Sequence, residues 1–403
     1  MENKFICDLA WKHLSIMPHG VSTVCCVADH SYYDSSAVKD GNRVTLKDSK
    51  IIDIINSDSY KKIRLDMLDG KVPQACMGCK KIEDAGGTSK RMSEGIGMNL
   101  DHASITETDG TIKPDLRTVE LRLGNYCNLK CRGCNAESST SWIQDYYKLK
   151  DIVRLPSDYE RTISDPLNDY TWCERTDFYD DLLSNSSNLE VLHVSGGEPF
   201  LVPKHFDILS RLVSEGKTNV SIHYITNLNY NFDKLKPALE LLKNFKYVSL
   251  SFSIDDVGDR NNYIRKNSDW NLMMQNLKRF ITEYPEFVTS ITQTVMAYNF
   301  LYIEELYVYL KQENLLPMLG IRLNHLYSPD YLSANVLSQE TRREKIDQVK
   351  DILPESMYSE LYGHYYNSYT NGLHPEFLKS TMQVDRVRSE SLFKLFPKLL
   401  KTK

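Results

Sequence analysis

Thr118-Val119-Glu120-Leu121-Arg122-Leu123-Gly124-Asn125-Tyr126-Cys127-Asn128-Leu129-Lys130-Cys131-Arg132-Gly133-Cys134 is the stretch that decides how this chain reads. Its first part alternates apolar and polar residues over 119–123, the period of a half-buried strand. Its second part packs Cys127, Cys131 and Cys134 into a C-x3-C-x2-C run. Working outward, the strand pattern returns at 189–194, 220–225, 247–254, 291–295 and 320–323, the second of these six strands ending at Gly196-Gly197. Helical periodicity fills the gaps at 205–215, 232–242, 270–284 and 303–312. Repeated βα units predict a parallel sheet, and six of them with right-handed crossovers curl into a partial barrel. The expected fold class is therefore α/β: a partial (β/α)6 TIM-like barrel over 117–328, an N-terminal cysteine-rich module over 1–110 and a helical C-terminal extension over 329–403. An insert over 152–186, rich in Asp, Tyr and Ser, reads as an excursion from the barrel.

The bulk numbers narrow the function. The chain has 403 residues, 41% hydrophobic and 26% charged, which fits a soluble globular protein. A formal net charge of −5 leaves no electrostatic footprint for general nucleic-acid binding. The 25 tyrosines read as ordinary packing. Met1-Glu2-Asn3-Lys4-Phe5 leads into no apolar run. No window approaches the ~20 apolar residues of a membrane span, so no membrane role and a cytoplasmic location are expected. In a reducing compartment the nine cysteines serve as thiolate ligands or core residues before disulfides. The end, 386–403, carries six Lys or Arg against one Glu and reads as a solvated helix face, with an acidic partner as the alternative.

Three thiolates on one short loop can each bind one iron of a four-iron cubane, and one iron is left without a protein ligand. An open metal position is where a cofactor or substrate binds. The loop also follows the first strand, where barrel enzymes place their active-site loops. The alternative is a zinc knuckle short of a fourth ligand, with His102 the only nearby candidate. A second cysteine group lies upstream. Cys7, Gly20 and Cys25 are spaced C-x12-G-x4-C, and Cys76 and Cys79 form a C-x2-C. These four thiolates suffice for a second cubane or, as two separated units, for a zinc ribbon. Cys26 can swap roles with Cys25, and Cys173 reads as a core or surface thiol.

The C-x3-C-x2-C loop after the first strand resembles the signature of the radical S-adenosylmethionine (SAM) superfamily, and the likeness covers roughly residues 5–330. It implies that Cys127, Cys131 and Cys134 hold a [4Fe-4S] cluster. SAM binds that cluster's open iron and is cleaved to a 5′-deoxyadenosyl radical, which takes a hydrogen atom from the substrate. Ser195-Gly196-Gly197-Glu198-Pro199 looks like the family's GGEP element, whose backbone receives the amino group of SAM. Thr226 and Asn227, Ser253 and Asp255, and Arg265 match positions that contact the ribose and carboxylate in related enzymes. Many members carry an aromatic residue before the third cysteine; here it is Gly133, so the adenine must be packed by Tyr126 or a later strand.

The N-terminal cysteines, with Trp11-Lys12-His13-Leu14 and Pro18-His19-Gly20, resemble the twitch and SPASM modules of radical SAM proteins, some of them encoded by bacteriophages. The full SPASM version continues with more cysteines. Here Glu83, Gly86, Gly87, Ser89 and Arg91 follow instead, which is similar to the one-cluster twitch version, with Cys7, Cys25, Cys76 and Cys79 on a second [4Fe-4S] auxiliary cluster. The resemblance implies an enzyme acting on a peptide or protein, with a reductant such as flavodoxin or ferredoxin. The alternatives are a small-molecule substrate such as a sugar or nucleotide, or a non-catalytic zinc or iron–sulfur scaffold. No catalytic side chain is identified from the sequence.

Overall fold

The computed structural model describes residues 5–28 and 36–401, so Met1 to Lys4, part of the N-terminal reading above, lie outside the described residues. Among the described residues ten strands are formed: β1 (His13–Ile16), β2 (Ser22–Thr23), β3 (Val38–Lys39), β4 (Asn42–Arg43), β5 (Thr118–Leu123), β6 (Val191–Gly196), β7 (Ser221–Thr226), β8 (Tyr247–Ser253), β9 (Val288–Val295) and β10 (Gly320–His325). The last six are the six expected strands, with bounds moved by up to three residues. The fold is α/β with mostly parallel strands, a partial TIM-like barrel carrying an N-terminal cysteine-rich module. Among the described residues no helix is long and apolar enough to cross a membrane.

The chain divides into two compact units, the first being Met1–Asn125, Arg161–Tyr224 and Ala238–Tyr247. Here β6 pairs in parallel with both β5 and β7. On β5 the alternation seen in the sequence becomes two faces. Val119, Leu121 and Leu123 are buried, while Glu120 shares the other face with His193 and His223, its register partners across β6 and β7. The helix after β6, Phe206–Ser214, buries Ile208, Leu209 and Leu212 at helical spacing.

The N-terminal module also supplies β1, which pairs in parallel with β5 from His13↔Thr118 to Ile16↔Leu121. All four residues of β1 are buried, so no alternation marked it in the sequence. Part of the insert packs on the N-terminal module. The indole of Trp172 donates to the Pro18 carbonyl (3.0 Å), the Asp169 amide donates to the His19 carbonyl (3.0 Å), and Thr45 donates to the Leu167 carbonyl (2.7 Å). Arg43 pairs with Asp165.

The second unit is Tyr126–Glu160, Ile225–Pro237 and Val248–Lys403. In it β8, β9 and β10 run parallel in that order. Helices of the C-terminal extension, Gln339–Val349, Glu355–Leu361 and His374–Arg388, complete a core with Tyr263, Tyr298, Phe300 and Phe377. The basic end is not simply a solvated face. Arg388 is buried and its Nε pairs with Asp145 at 2.7 Å.

Two buried histidines make the first unit sensitive to acid. His205 donates from Nδ1 to the Val202 carbonyl and accepts at Nε2 from the Tyr224 hydroxyl (2.8 Å). His13 is buried between β2 and β5. Burial lowers both from 6.5 to about 4, so both stay neutral in the fold. Only the unfolded chain takes up these protons as the pH drops from 6.5 toward 4, so stability is full above that window and is lost within it. The melting temperature of the metal-free chain should fall through this window, and His205→Gln should flatten the slope.

Candidate metal and cofactor sites

In the first unit, four cysteines distant in sequence meet at one cavity. After β1 the chain reverses at Gly20, whose amide donates to the Met17 carbonyl (3.0 Å) at φ +82°. A Cβ at Gly20 would stand 3.3 Å from the Asp169 carbonyl oxygen and 3.4 Å from Trp172, so the turn and the insert both select glycine. The reversal makes β2 antiparallel to β1 (Ser15↔Thr23) and carries Cys25 back toward Cys7. Cys76 is the N-cap of the helix Met77–Asp84, which bears Cys79. Cys7, Cys25, Cys76 and Cys79 line the cavity together with Phe5, Lys90 and Arg91. Cys26 is turned elsewhere and shares a hydrogen bond with Glu120.

Burial pushes the Cys7 and Cys25 thiols up to about 12 and raises Cys76 as well, so a metal binding here would have to displace their protons. Arg91 stands beside Cys7 and favours its charged form. It is held there by Glu83 (Nε to Oε1, 2.9 Å), by the Ile6 carbonyl (2.9 Å) and by the face of Phe5 (4.4 Å). Sequence reading saw Glu83, Ser89 and Arg91 only as missing cysteines, although Ser89 also donates to Glu83. Gly95 was missed too; a Cβ there would collide with the Cys7 sulfur. His102, the possible zinc ligand, is committed to Asp8 (2.7 Å) and packs edge-on against Trp11.

A four-thiol donor set beside a fixed guanidinium fits an anionic iron–sulfur cluster. Among the described residues no three His, Cys, Asp or Glu side chains are close enough to hold a single metal ion, whereas a cubane takes its ligands at separate corners.

In the second unit, the cysteine loop is braced at every step. Leu129 N approaches the Cys127 sulfur (3.4 Å), Ser141 donates to the Cys127 carbonyl (2.8 Å), and the Trp142 indole donates to the Cys131 carbonyl (2.7 Å). The Lys130 and Arg132 amides donate to the carbonyls of Lys266 (3.0 Å) and Ile264 (2.7 Å). Asn227 donates to Asn128 Oδ1 (2.9 Å) and reaches the Cys127 sulfur at 3.9 Å. Thr226 hydrogen-bonds Tyr230 (3.2 Å). Burial raises Cys131, and raises Cys134 to about 12; Arg265 opposes both shifts.

The Arg265 side chain is 12% exposed and its Nη1 pairs with Asp255 at 3.0 Å; among the described residues its Nε has no partner. Asp255 also accepts from the Thr294 amide (2.9 Å). Ser253 lies at the end of β8, in register with Thr292. Tyr126 is 59% exposed. The apolar atoms nearest a side chain at Gly133 are Met296 and Leu326, 3.5 and 3.9 Å from a built Cβ.

The GGEP element lies in the first unit. Gly196 has φ +122°, and a Cβ there would come within 2.5 Å of the Leu123 amide nitrogen, its register partner on β5. The neighbouring strand alone therefore demands glycine, before any ligand is considered. Glu198 is buried and accepts from the Phe200 amide (3.3 Å), capping the turn Pro199–Leu201. Phe200 stacks on Tyr224 (4.9 Å).

An α/β fold of parallel strands carries a braced three-cysteine loop in one unit and a four-cysteine cavity in the other. Residues 121–308 match the radical SAM superfamily and residues 7–80 match the SPASM iron–sulfur cluster-binding domain, so the chain carries a radical SAM domain and a SPASM-type domain. Its cofactors are a [4Fe-4S] cluster, SAM and an auxiliary cluster. No curated protein matches the chain. Among solved structures, anSMEcpe with bound AdoMet is 16% identical at TM-score 0.41, over 60% of this chain and 62% of that one. The same enzyme with AdoMet and the Cp18Cys peptide is 16% identical at TM-score 0.40, over 62% of each chain. TYW1 with a lysine–pyruvate adduct is 13% identical at TM-score 0.32, over 58% of this chain and 73% of that one. The chain thus spans about three fifths of the length of the anSMEcpe structures.

Proposed function

We propose that the chain cleaves SAM reductively and uses the resulting radical to modify a peptide or protein. The observation that carries this reading is the bracketed loop presenting Cys127, Cys131 and Cys134 beside Arg265. When bound, a three-thiolate cluster supplies the electron that splits the SAM sulfonium into methionine and a 5′-deoxyadenosyl radical, which abstracts hydrogen from the substrate. The side chains prepare that event. Arg265, oriented by Asp255, offers its Nε to the SAM carboxylate as a fixed cation. Asn227 steadies the Cys127 end of the loop. Thr226, Ser253 and Asp255 are assigned to the ribose side, and Met296 and Leu326 to the apolar packing that an aromatic at position 133 would otherwise give. Gly196, Gly197, Glu198 and Pro199 are assigned to the amino group on family resemblance. In the first unit Cys7, Cys25, Cys76 and Cys79 are assigned to the auxiliary cluster. The peptide reading is supported by the SPASM-type domain, which such enzymes often pair with peptide substrates. A flavodoxin or ferredoxin fits the need for a one-electron reductant.

The test is anaerobic incubation of the loaded enzyme with reductant and SAM, with 5′-deoxyadenosine and candidate peptides followed by mass spectrometry. Formation of 5′-deoxyadenosine with a peptide mass change supports the reading, and a changed metabolite with unchanged peptides replaces it with small-molecule chemistry. Arg265→Ala should weaken SAM binding by about 1.5–3 kcal/mol, the worth of a hydrogen bond to a charged group. Arg265→Lys keeps the charge for Asp255 but loses the fork geometry, so it separates ligand binding from a stranded carboxylate. An unchanged dissociation constant in both variants would place the carboxylate elsewhere.

A further inference from the structure

The cysteine loop carries a cation on each side of Cys131, and both cations are tied to the C-terminal extension. Lys130 Nζ lies 2.9 Å from one oxygen of Asp145, and Arg388 Nε lies 2.7 Å from the other. Arg132 Nη2 pairs with Asp385 and, at 2.7 Å, with Glu390. The guanidinium of Arg132 lies over the Tyr263 ring at 3.5 Å, and the Tyr263 hydroxyl donates to the same Asp385 oxygen at 2.8 Å. Arg388 lies in turn over Trp142, the residue whose indole holds the Cys131 carbonyl. The side chains of Arg132, Arg388 and Asp145 are 1%, 0% and 3% exposed.

Burying this many charges is costly, and well-packed apolar residues usually stabilise a core as well or better. Charge here selects one arrangement. Asp385 and Arg388, on the last turn of the helix His374–Arg388, meet Arg132 and the Asp145 partner of Lys130, so that turn dictates where both neighbours of Cys131 sit. The backbone reinforces this through the Lys266 and Ile264 carbonyls, and Lys266 also pairs with Glu390 (3.0 Å).

We propose that Asp385 and Arg388 are positioning residues for the radical cluster. They hold the loop 127–134 in its ligand-presenting form before metal arrives, and their charges set the field at the cluster that loads there. This rests on the reading of Cys127, Cys131 and Cys134 as ligands. The extension, which follows the residues matched to the radical SAM superfamily, is thereby part of the site.

The experiment has two readouts on the full chain, for wild type, Asp385→Asn, Asp385→Glu and Arg388→Gln. The first is hydrogen exchange of the metal-free protein. Peptides covering 127–134 should exchange about tenfold faster in Asp385→Asn and Arg388→Gln, while the helix Trp270–Glu283 keeps its protection. Asp385→Glu should recover most of the loss. The second is the midpoint potential of the radical cluster, followed by electron paramagnetic resonance. Asp385→Asn removes a negative charge and should raise it; Arg388→Gln removes a positive charge and should lower it. Loosening alone gives no such opposite signs. Unchanged loop exchange, or potentials that move together, would overturn the proposal, and if Asp385→Asn does not fold, Arg388→Gln decides alone by the sign of its shift and its loop exchange. A wild type that loads no cluster on this loop refutes the ligand reading instead, while the exchange arm still tests the positioning.

Discussion

A chain in which Cys127, Cys131 and Cys134 are all alanine should form no 5′-deoxyadenosine from SAM under reducing, anaerobic conditions. No thiol is spare on this loop, because Cys173 is buried in the first unit beside Gly124 and Tyr170. The variant should still fold. The loop is held by main-chain bonds to Lys266 and Ile264 and by Ser141 and Trp142, none of which uses a sulfur as its anchor. It should lose about four iron atoms per chain and retain the auxiliary four. Full cleavage activity in the triple variant would remove these residues from the chemistry altogether.

Replacing Cys76 and Cys79 together by alanine should have the opposite pattern. Iron should fall by about one cubane, and the loop of the second unit should keep its own. SAM should still be cleaved slowly without substrate, and turnover of the substrate should be lost. The first hundred residues should also loosen in hydrogen exchange, because the cavity joins Cys7 to Cys79 across the length of the module and metal bound there closes that long segment. Normal substrate turnover with half the iron would mean that these cysteines serve stability alone.

The barrel strands were legible because their signal is periodic. On β5 the apolar residues 119, 121 and 123 are the buried ones, and the turn from strand to cysteines follows at once. β1 was not legible, since His13-Leu14-Ser15-Ile16 is short and buried on both faces. The insert was seen as an interruption because its partners lie more than a hundred positions upstream; only the fold brings Trp172 to Pro18 and Leu167 to Thr45. Gly20 was noticed for its spacing, and the structure supplies the reason, a left-handed turn pressed against the insert.

The site was legible where identity matters and illegible where geometry does. Spacing could not choose between Cys25 and Cys26; the direction of β2 turns Cys25 to the cavity and Cys26 to Glu120. Gly196 was read as room for a ligand, yet the β5 backbone already excludes any side chain there. Arg265 was read as a cation for the SAM carboxylate, and the fold gives it Asp255 first. Arg132 carried no signal beyond its charge, because the carboxylates that fix it, Asp385 and Glu390, lie some 250 positions downstream, and Lys130 pairs with Asp145, whose other oxygen is held by the equally distant Arg388.

Metal and sulfide analysis of the anaerobically purified wild-type chain, read together with its paramagnetic resonance spectrum, tests the central claim most directly. The account predicts about eight iron and eight sulfide per chain and, after reduction, cubane signals of which one changes on adding SAM. One or two zinc ions per chain with no iron and no response to SAM would contradict it.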